Sequence, residues 1–407
     1  MKHFMTLLSS IDAQRMYGYV KNLASFGPRN PGAPGDHGSL QYLMGFAADR
    51  KLQVETLSCY ATGFRAIESS IHVLTPNGPH IECLPQDGSC ATPDSGIVAQ
   101  VVYTGCGHES DFAGKDVRGK IVIEDIWGLH MVPKIQTAER HGALGCVFVH
   151  GHPGGKRSAW GLGIRPSPIP VVCVSLEDGL WMRRHAPGGL RIRLHCKTEN
   201  PTVETKHLLY KIPGTAPDAG TIMVLGHRDT THVSPGANDN ASGMAVMMEM
   251  ACAFAQHPLA MDFVALFSTA EEGGGLGISQ VAPRLRDMLK PPVYAVNLDM
   301  LSVGSRLLVV QGDQELRTSP AINRVLMESA QALGYYLGEY EIPMGLADAG
   351  PLIRQGIEAT WLFMPDDPWF HTSDDTIDHV NPNDLKAAAD ITTHAVLALS
   401  QMKEVLR

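Results

Sequence analysis

The chain has 407 residues, 44% of them apolar and 18% charged, with a net charge of −9. Those values describe a globular protein of roughly two or three domains and exclude a disordered or fibrous one. No cluster of Lys and Arg supplies the positive potential that a nucleic acid or an anionic membrane requires, so the expected partner is a small molecule or a peptide.

In chain order, the N-terminal MKHFMTLLSSIDAQR carries a short apolar run that Asp12 interrupts, too short for a secretory signal. No other stretch is long enough to span a bilayer. A helix is expected near 10–25, a turn at GPRNPGAPGDHG, a second helix near 38–50 and a strand around VETLSCY. From about 88 to 200 the texture changes to short β-rich runs, among them VAQVVYTG, KIVIED, LGCVFVH, IPVVCVS and LRIRLHC. Beyond 200, strand and helix alternate: TIMVLGH, ASGMAVMMEMACAFA, DFVALFST, GLGISQVAPRL, VYAVNLDM. The reading is one α/β domain of three αβα layers around a mixed, largely parallel sheet. It is formed by 1–87 and 201–407 and interrupted by a mostly-β insertion at 88–200. None of the eight cysteines forms a C-x-x-C pair. Reduced thiols and a cytoplasmic location are expected, with a Cys83–Cys90 bridge as the alternative should this be a trimmed mature form.

The chemistry concentrates at strand ends. His227 and Asp229 follow TIMVL two residues apart, so both can serve one site, with the Asp229 carboxylate placed to take the ring proton of a metal-bound imidazole. Asp239 lies in the turn SPGANDNASG before an apolar helix, where Asp alone reads equally as a cap. Glu271 and Glu272 follow DFVALFST, and the glycines after them let adjacent side chains converge on one cavity, one to bind metal and one to handle a proton. Asp299 closes the apolar run VYAVNLDM. His371 follows Trp369 and Phe370 in WFHTSDDT, with Asp375 near enough to orient its ring. Two histidines and three carboxylates at successive strand ends form the ligand set of a zinc pair sharing one Asp.

In this order the motifs H-x-D, P-G-A-x-D-N-x-S-G, E-E-G-G-x-x-G, D-M and H-T-x-x-D-T resemble the co-catalytic zinc metallopeptidases that include the bacterial leucine aminopeptidases, aminopeptidase Y and glutamate carboxypeptidase. The resemblance spans roughly 203–380. It implies that Asp239 bridges two Zn²⁺, that His227 and Asp299 complete one site and Glu272 and His371 the other, and that Glu271 is the general base. It also implies a cis peptide bond between Asp239 and Asn240. Co²⁺ or Mn²⁺ would fit the same donors. The segments DFAGKDVRGKIVI, AERHGALGCVFV and IPVVCVS resemble a protease-associated domain. Where many relatives have Ser-Asp and a bulky residue, this chain has LADAG, which leaves the role of Asp348 open.

The resemblance implies an exopeptidase of the aminopeptidase type. The alternatives are a carboxypeptidase, a small-molecule amidohydrolase, a single-zinc glutaminyl cyclase and a non-catalytic receptor-like relative. A serine or cysteine hydrolase is disfavoured, because no G-x-S-x-G occurs and no cysteine sits beside a base. Self-association is left open. The 151–168 loop, with Lys156, Arg157, Trp160 and Arg165, is read as a lid over the substrate, joined by Phe370.

Overall fold

A computed structural model describes residues 7–75, 78–163, 166–343 and 347–401. Asp12, which breaks the first apolar run, caps α1 (Ala13–Ala24), its carboxylate accepting the Arg15 N–H at 2.8 Å. After α2 (Pro34–Asp49) and β1 (Gln53–Thr62) the chain crosses into a separate sheet. That sheet contains β2 (Arg65–Val73), β3 (His80–Ile81), β4 (Leu84–Pro85), β5 (Ile97–Tyr103), β6 (Ile121–Asp125), β7 (Gly145–Val149), β8 (Val171–Val174) and β9 (Arg191–Glu199). Two helices, α3 (Met131–Arg140) and α4 (Leu176–His185), pack into separate apolar clusters of this insertion.

The chain returns through β10 (Thr202–Ile212), β11 (Thr221–His227), α5 (Gly243–Gln256), β12 (Asp262–Ser268), α6 (Leu276–Met288) and β13 (Val293–Leu298). It closes with β14 (Leu308–Val310), α7 (Pro320–Leu333), β15 (Gly338–Tyr340), α8 (Ala349–Arg354), β16 (Glu358–Phe363) and α9 (Pro382–Gln401). The first sheet runs β1-β10-β12-β11-β13-β16-β14-β15, parallel through its centre from β12 to β16 and antiparallel where β1, β10 and β14 join. Helices α1, α2, α5, α7 and α9 share one apolar cluster with the sheet, while α6 and α8 belong to a second. The expected three layers result. Helix α5 is apolar nearly all round because it lies at the centre of the first cluster, with Met244, Met247, Met248 and Met250 all buried.

One boundary differs from expectation. Strands β2 to β4 belong to the second sheet, with β2 paired antiparallel to β9, so the crossing falls at residues 63–64 rather than near 88. Consecutive strands β1 and β2 look alike in sequence; their distant partners, β10 and β9, decide which sheet each joins. All eight cysteines are unpaired, Cys83 and Cys90 included. Among the described residues no helix is long and apolar enough to cross a membrane.

The insertion buries an acid that its own lysine does not neutralise. Glu124 on β6 accepts the Thr104 hydroxyl at 2.9 Å, while the Lys134 ammonium donates to the carbonyls of Asp125, Ile126 and Trp127. Burial pushes the Glu124 carboxyl up to about 7. With its folded pKa above the unfolded value of about 4.5, its share of stability is intact in acid and lost as pH rises from there through 7. Glu124→Gln is therefore expected to raise the melting temperature at pH 8, by a free-energy increment on the order of 1–3 kcal/mol, and to change it little at pH 5. Equal shifts at both pH values would show that ionisation is not the cause.

Candidate metal centre and active-site cavity

The parallel centre of the first sheet brings three strand ends together at its carboxyl edge, where open α/β sheets place their ligands. Strand β11 ends on His227, β12 leads through Ala270 to Glu271 and Glu272, and β13 is followed by Asp299. Asp239 comes from the irregular turn before α5, with φ −108° and ψ 92°, so it is not a helical cap. The Asp239–Asn240 peptide bond is cis. His371 arrives from the segment after β16 with φ +59°.

Both oxygens of Asp239 are used, in different directions. Oδ1 lies 3.0 Å from His227 Nε2, and Oδ2 lies 3.2 Å from His371 Nε2. Asp299 Oδ1 is 3.4 Å from His227 Nε2, and Glu272 Oε2 is 2.9 Å from His371 Nε2. Two groups result, His227/Asp239/Asp299 and Asp239/Glu272/His371, in each of which one ligand atom per residue lies within 4.8 Å of the others.

This donor set fits metal cations in its unpartnered atoms and in its charge. Buried Glu272 Oε1, Asp299 Oδ1 and His371 Nδ1 have no hydrogen-bond partner among the described residues. Burial drives Glu272 up to about 7, and Asp299 and Glu271 above the usual carboxylate range, so the cavity crowds acids whose only cationic neighbours are the two imidazoles among the described residues. Burial works against the imidazolium of His371, yet Glu272 and Asp239 raise it to about 10. The nearest fixed cations are engaged elsewhere: Arg228 bonds the Asp36 carboxylate at 2.5 Å, and Arg29 donates to carbonyl groups.

Two supporting acids act differently from expectation. The His227 Nδ1–H donates to the main-chain carbonyl of Asp229 at 2.9 Å, which turns Nε2 towards the cluster. The Asp229 carboxylate lies 3.8 Å from that ring and instead accepts the N–H groups of Glu271 and Glu272, each at 3.2 Å. It shapes the Glu-Glu turn, because the chain curls after β11 and brings the carbonyl, not the side chain, beside the imidazole. Asp375 likewise does not reach the His371 ring. It accepts the N–H groups of Asn238 at 2.7 Å and Asp239 at 3.1 Å, bracing the turn that carries Asp239. Burial pushes Asp375 up to about 8. Asp348, buried behind Glu271, accepts the Ser268 hydroxyl, and burial raises it to about 7.

Sequence reasoning missed Arg29. Fully buried, it donates to the carbonyls of Arg228 at 2.7 Å, Pro235 at 2.5 Å and Gly236 at 3.0 Å, tying the His227 turn to the Asp239 turn. Gly236 has φ +65°, and a Cβ there would meet the Asp239 carbonyl at 2.4 Å and the Arg29 guanidinium at 2.6 Å, so only glycine fits. Among the described residues five non-glycine positions have positive φ, and Ala270, Met300, Asp366 and His371 are four of them. Such backbone strain gathers at functional sites.

A cavity of about 510 Å³ opens onto both groups. Trp127, Trp160, Trp361, Phe363, Phe370 and Met300 form apolar walls, and Asp239, Glu271, Glu272, Asp299, Asp366 and Asp367 supply carboxylates. Of the expected lid, Trp160 and Phe370 line it. Arg157 does not, because it pairs with Glu82 at 2.7 Å, and Lys156 lies 3.6 Å from Asp374. Arg165 falls outside the described residues. The walls from Trp127 and Trp361 had no sequence signal, since an aromatic residue in an apolar run reads as core.

An αβα sheet presents two buried His-carboxylate groups to a partly open cleft, the arrangement of a metal-dependent enzyme. Residues 207–396 match the model of peptidase family M28, and residues 97–182 match the PA domain. The chain is similar to the metallopeptidases of family M28, and its PA-domain match falls inside the segment inserted between β1 and β10. It is 25% identical over 395 residues to aminopeptidase YwaD of Bacillus subtilis (strain 168), covering 94% of this chain and 84% of that one. Carboxypeptidase Q of Xenopus laevis is 24% identical over 364 residues, 83% of this chain and 75% of that one. The fold is similar to the crystal structure of BSAP, a zinc aminopeptidase from Bacillus subtilis, with TM-score 0.76, 25% identity and 95% of each chain covered.

Proposed function

We propose that the protein is a two-zinc aminopeptidase. His227, Asp239 and Asp299 would hold one ion and Asp239, Glu272 and His371 the other, a thiol-free imidazole-carboxylate set that suits zinc. Bound zinc would polarise the scissile carbonyl and bring the acidity of a water molecule into the neutral range. Glu271 is the group that handles protons. Its carboxylate lines the cavity 4.0 Å from His227 Nε2 and belongs to neither ligand group, a position from which it can take a proton from water and give it to the departing amine. Trp160 and Phe370, with the exposed ring of Trp127, offer apolar surface to a substrate side chain.

The observation that carries the choice of terminus is the lining left once the proposed metal ligands and Glu271 are set aside: Asp366 and Asp367 and, among the described residues, no Lys or Arg. A free α-amine is a cation that such a lining stabilises, whereas a terminal carboxylate would be buried without a partner. The resemblance to YwaD and BSAP supports the same reading. That to carboxypeptidase Q keeps a carboxypeptidase as the second one.

A panel of aminoacyl-arylamides, N-blocked dipeptides and non-peptide amides tests the choice. Substrates with a free amine and an apolar first residue are expected to exceed their N-blocked counterparts by about 10- to 150-fold in kcat/KM, the worth of one charged hydrogen bond. Cleavage of N-blocked substrates alone would overturn the assignment.

A further inference from the structure

We propose that the segment from Ser158 to Leu162 of the inserted domain is a strap that positions Glu272 and His371, so that the ion they share depends on the insertion while its neighbour does not. The proposal rests on the two-ion reading above. Three contacts carry it. The Ala159 N–H donates to the His371 carbonyl at 3.0 Å, fixing the backbone of a ligand held at φ +59°. The Trp160 ring stands edge-on to the His371 imidazole, with centroids 4.7 Å apart, and 5.3 Å from the ring of Phe370. Gly161 seats against the main chain of the other ligand: a Cβ there would lie 1.9 Å from the Glu272 carbonyl oxygen and 3.1 Å from the Gly273 Cα.

The strap is anchored on its far side. Trp160 N–H donates to the Gln86 side chain at 3.0 Å, and Gln86 returns a bond to the Ser158 carbonyl at 3.0 Å. Asp87 N–H donates to the Trp160 carbonyl at 3.0 Å, and its own carbonyl accepts the Leu162 N–H at 2.8 Å. The Asp87 carboxylate accepts the His232 main-chain N–H at 3.0 Å and faces that imidazole, which joins the anchor to the catalytic domain just beyond the His227 turn. The strap is therefore held between two fixed points and cannot relax alone. By contrast, the bonds that place His227 and Asp299 come from the catalytic domain: the Asp229 carbonyl for the first, and the Leu362 carbonyl, 3.1 Å from the Asp299 N–H, for the second.

The test is a Zn²⁺ titration of metal-free, full-length protein against a chromophoric chelator, with far-UV circular dichroism to establish folding. Wild type is expected to bind two ions, and Glu272→Gln marks which constant belongs to the Asp239/Glu272/His371 group. Gly161→Ala is expected to weaken that same constant by about 10- to 100-fold, as loss of groups that orient metal ligands does, and to leave the other within about twofold. Trp160→Ala, which removes a ring from the cavity wall, is expected to weaken it several-fold and decides the matter should Gly161→Ala fail to fold. Two wild-type constants in a folded variant, or equal loss of both, would overturn the strap. Uptake of a single ion by wild type defeats the two-ion reading itself, a result visible before either variant is made.

Discussion

Glu271→Gln is expected to keep its metal and lose about two to four orders of magnitude in kcat, the range for removing a general base. The amide has nearly the shape of the carboxylate but is a far weaker base. Glu271 stands outside both ligand groups, so the substitution leaves their donors in place, and its main-chain N–H stays bonded to Asp229. The fall should appear in kcat with KM little changed, since in the proposed mechanism the group acts on the proton in flight and not on the bound substrate. Steady-state kinetics and metal analysis of the same preparation check both halves. Turnover like that of wild type would remove Glu271 from the chemistry, and lost metal would make it a ligand instead.

Asp239→Asn is expected to weaken both ions at once, each by about two to four orders of magnitude, if a lost buried charge partner is worth 3–5 kcal/mol. The reason is geometric. One oxygen of Asp239 faces His227 and the other His371, so a neutral amide withdraws half of the shared charge from each centre and turns an NH₂ towards one of them. His227→Ala and His371→Ala should each weaken chiefly the ion that the missing ring faces. Metal content of the three purified variants separates a shared ligand from two independent ones, and retention of two ions by Asp239→Asn would exclude sharing. The same centre predicts that exhaustive chelation abolishes hydrolysis and that added Zn²⁺ restores it.

The residues of the two His-carboxylate groups were legible because each follows an apolar run whose length and composition mark a buried strand or helix. The end of such a run is a definite place in an α/β sheet. His227, Glu271, Glu272 and Asp299 are of this kind, and the structure brings them together with Asp239 and His371. The supporting groups were not legible. Spacing suggested that Asp229 would meet the His227 ring and Asp375 the His371 ring, yet both carboxylates go to main-chain N–H groups. Backbone amides are present at every residue and carry no sequence label, so which of them a carboxylate finds depends on how the turns fold.

By itself, then, the sequence determined the αβα class, the insertion and the strand ends that carry His227, Glu271, Glu272 and Asp299, because hydrophobic periodicity is a local property. Tertiary structure alone decided the sheet that β2 joins, the carbonyls that Arg29 satisfies, the aromatic walls of the cavity and the seat of Gly161 on Glu272. Each of these is an encounter between segments far apart in the chain, and its energy comes from geometry that no local pattern records.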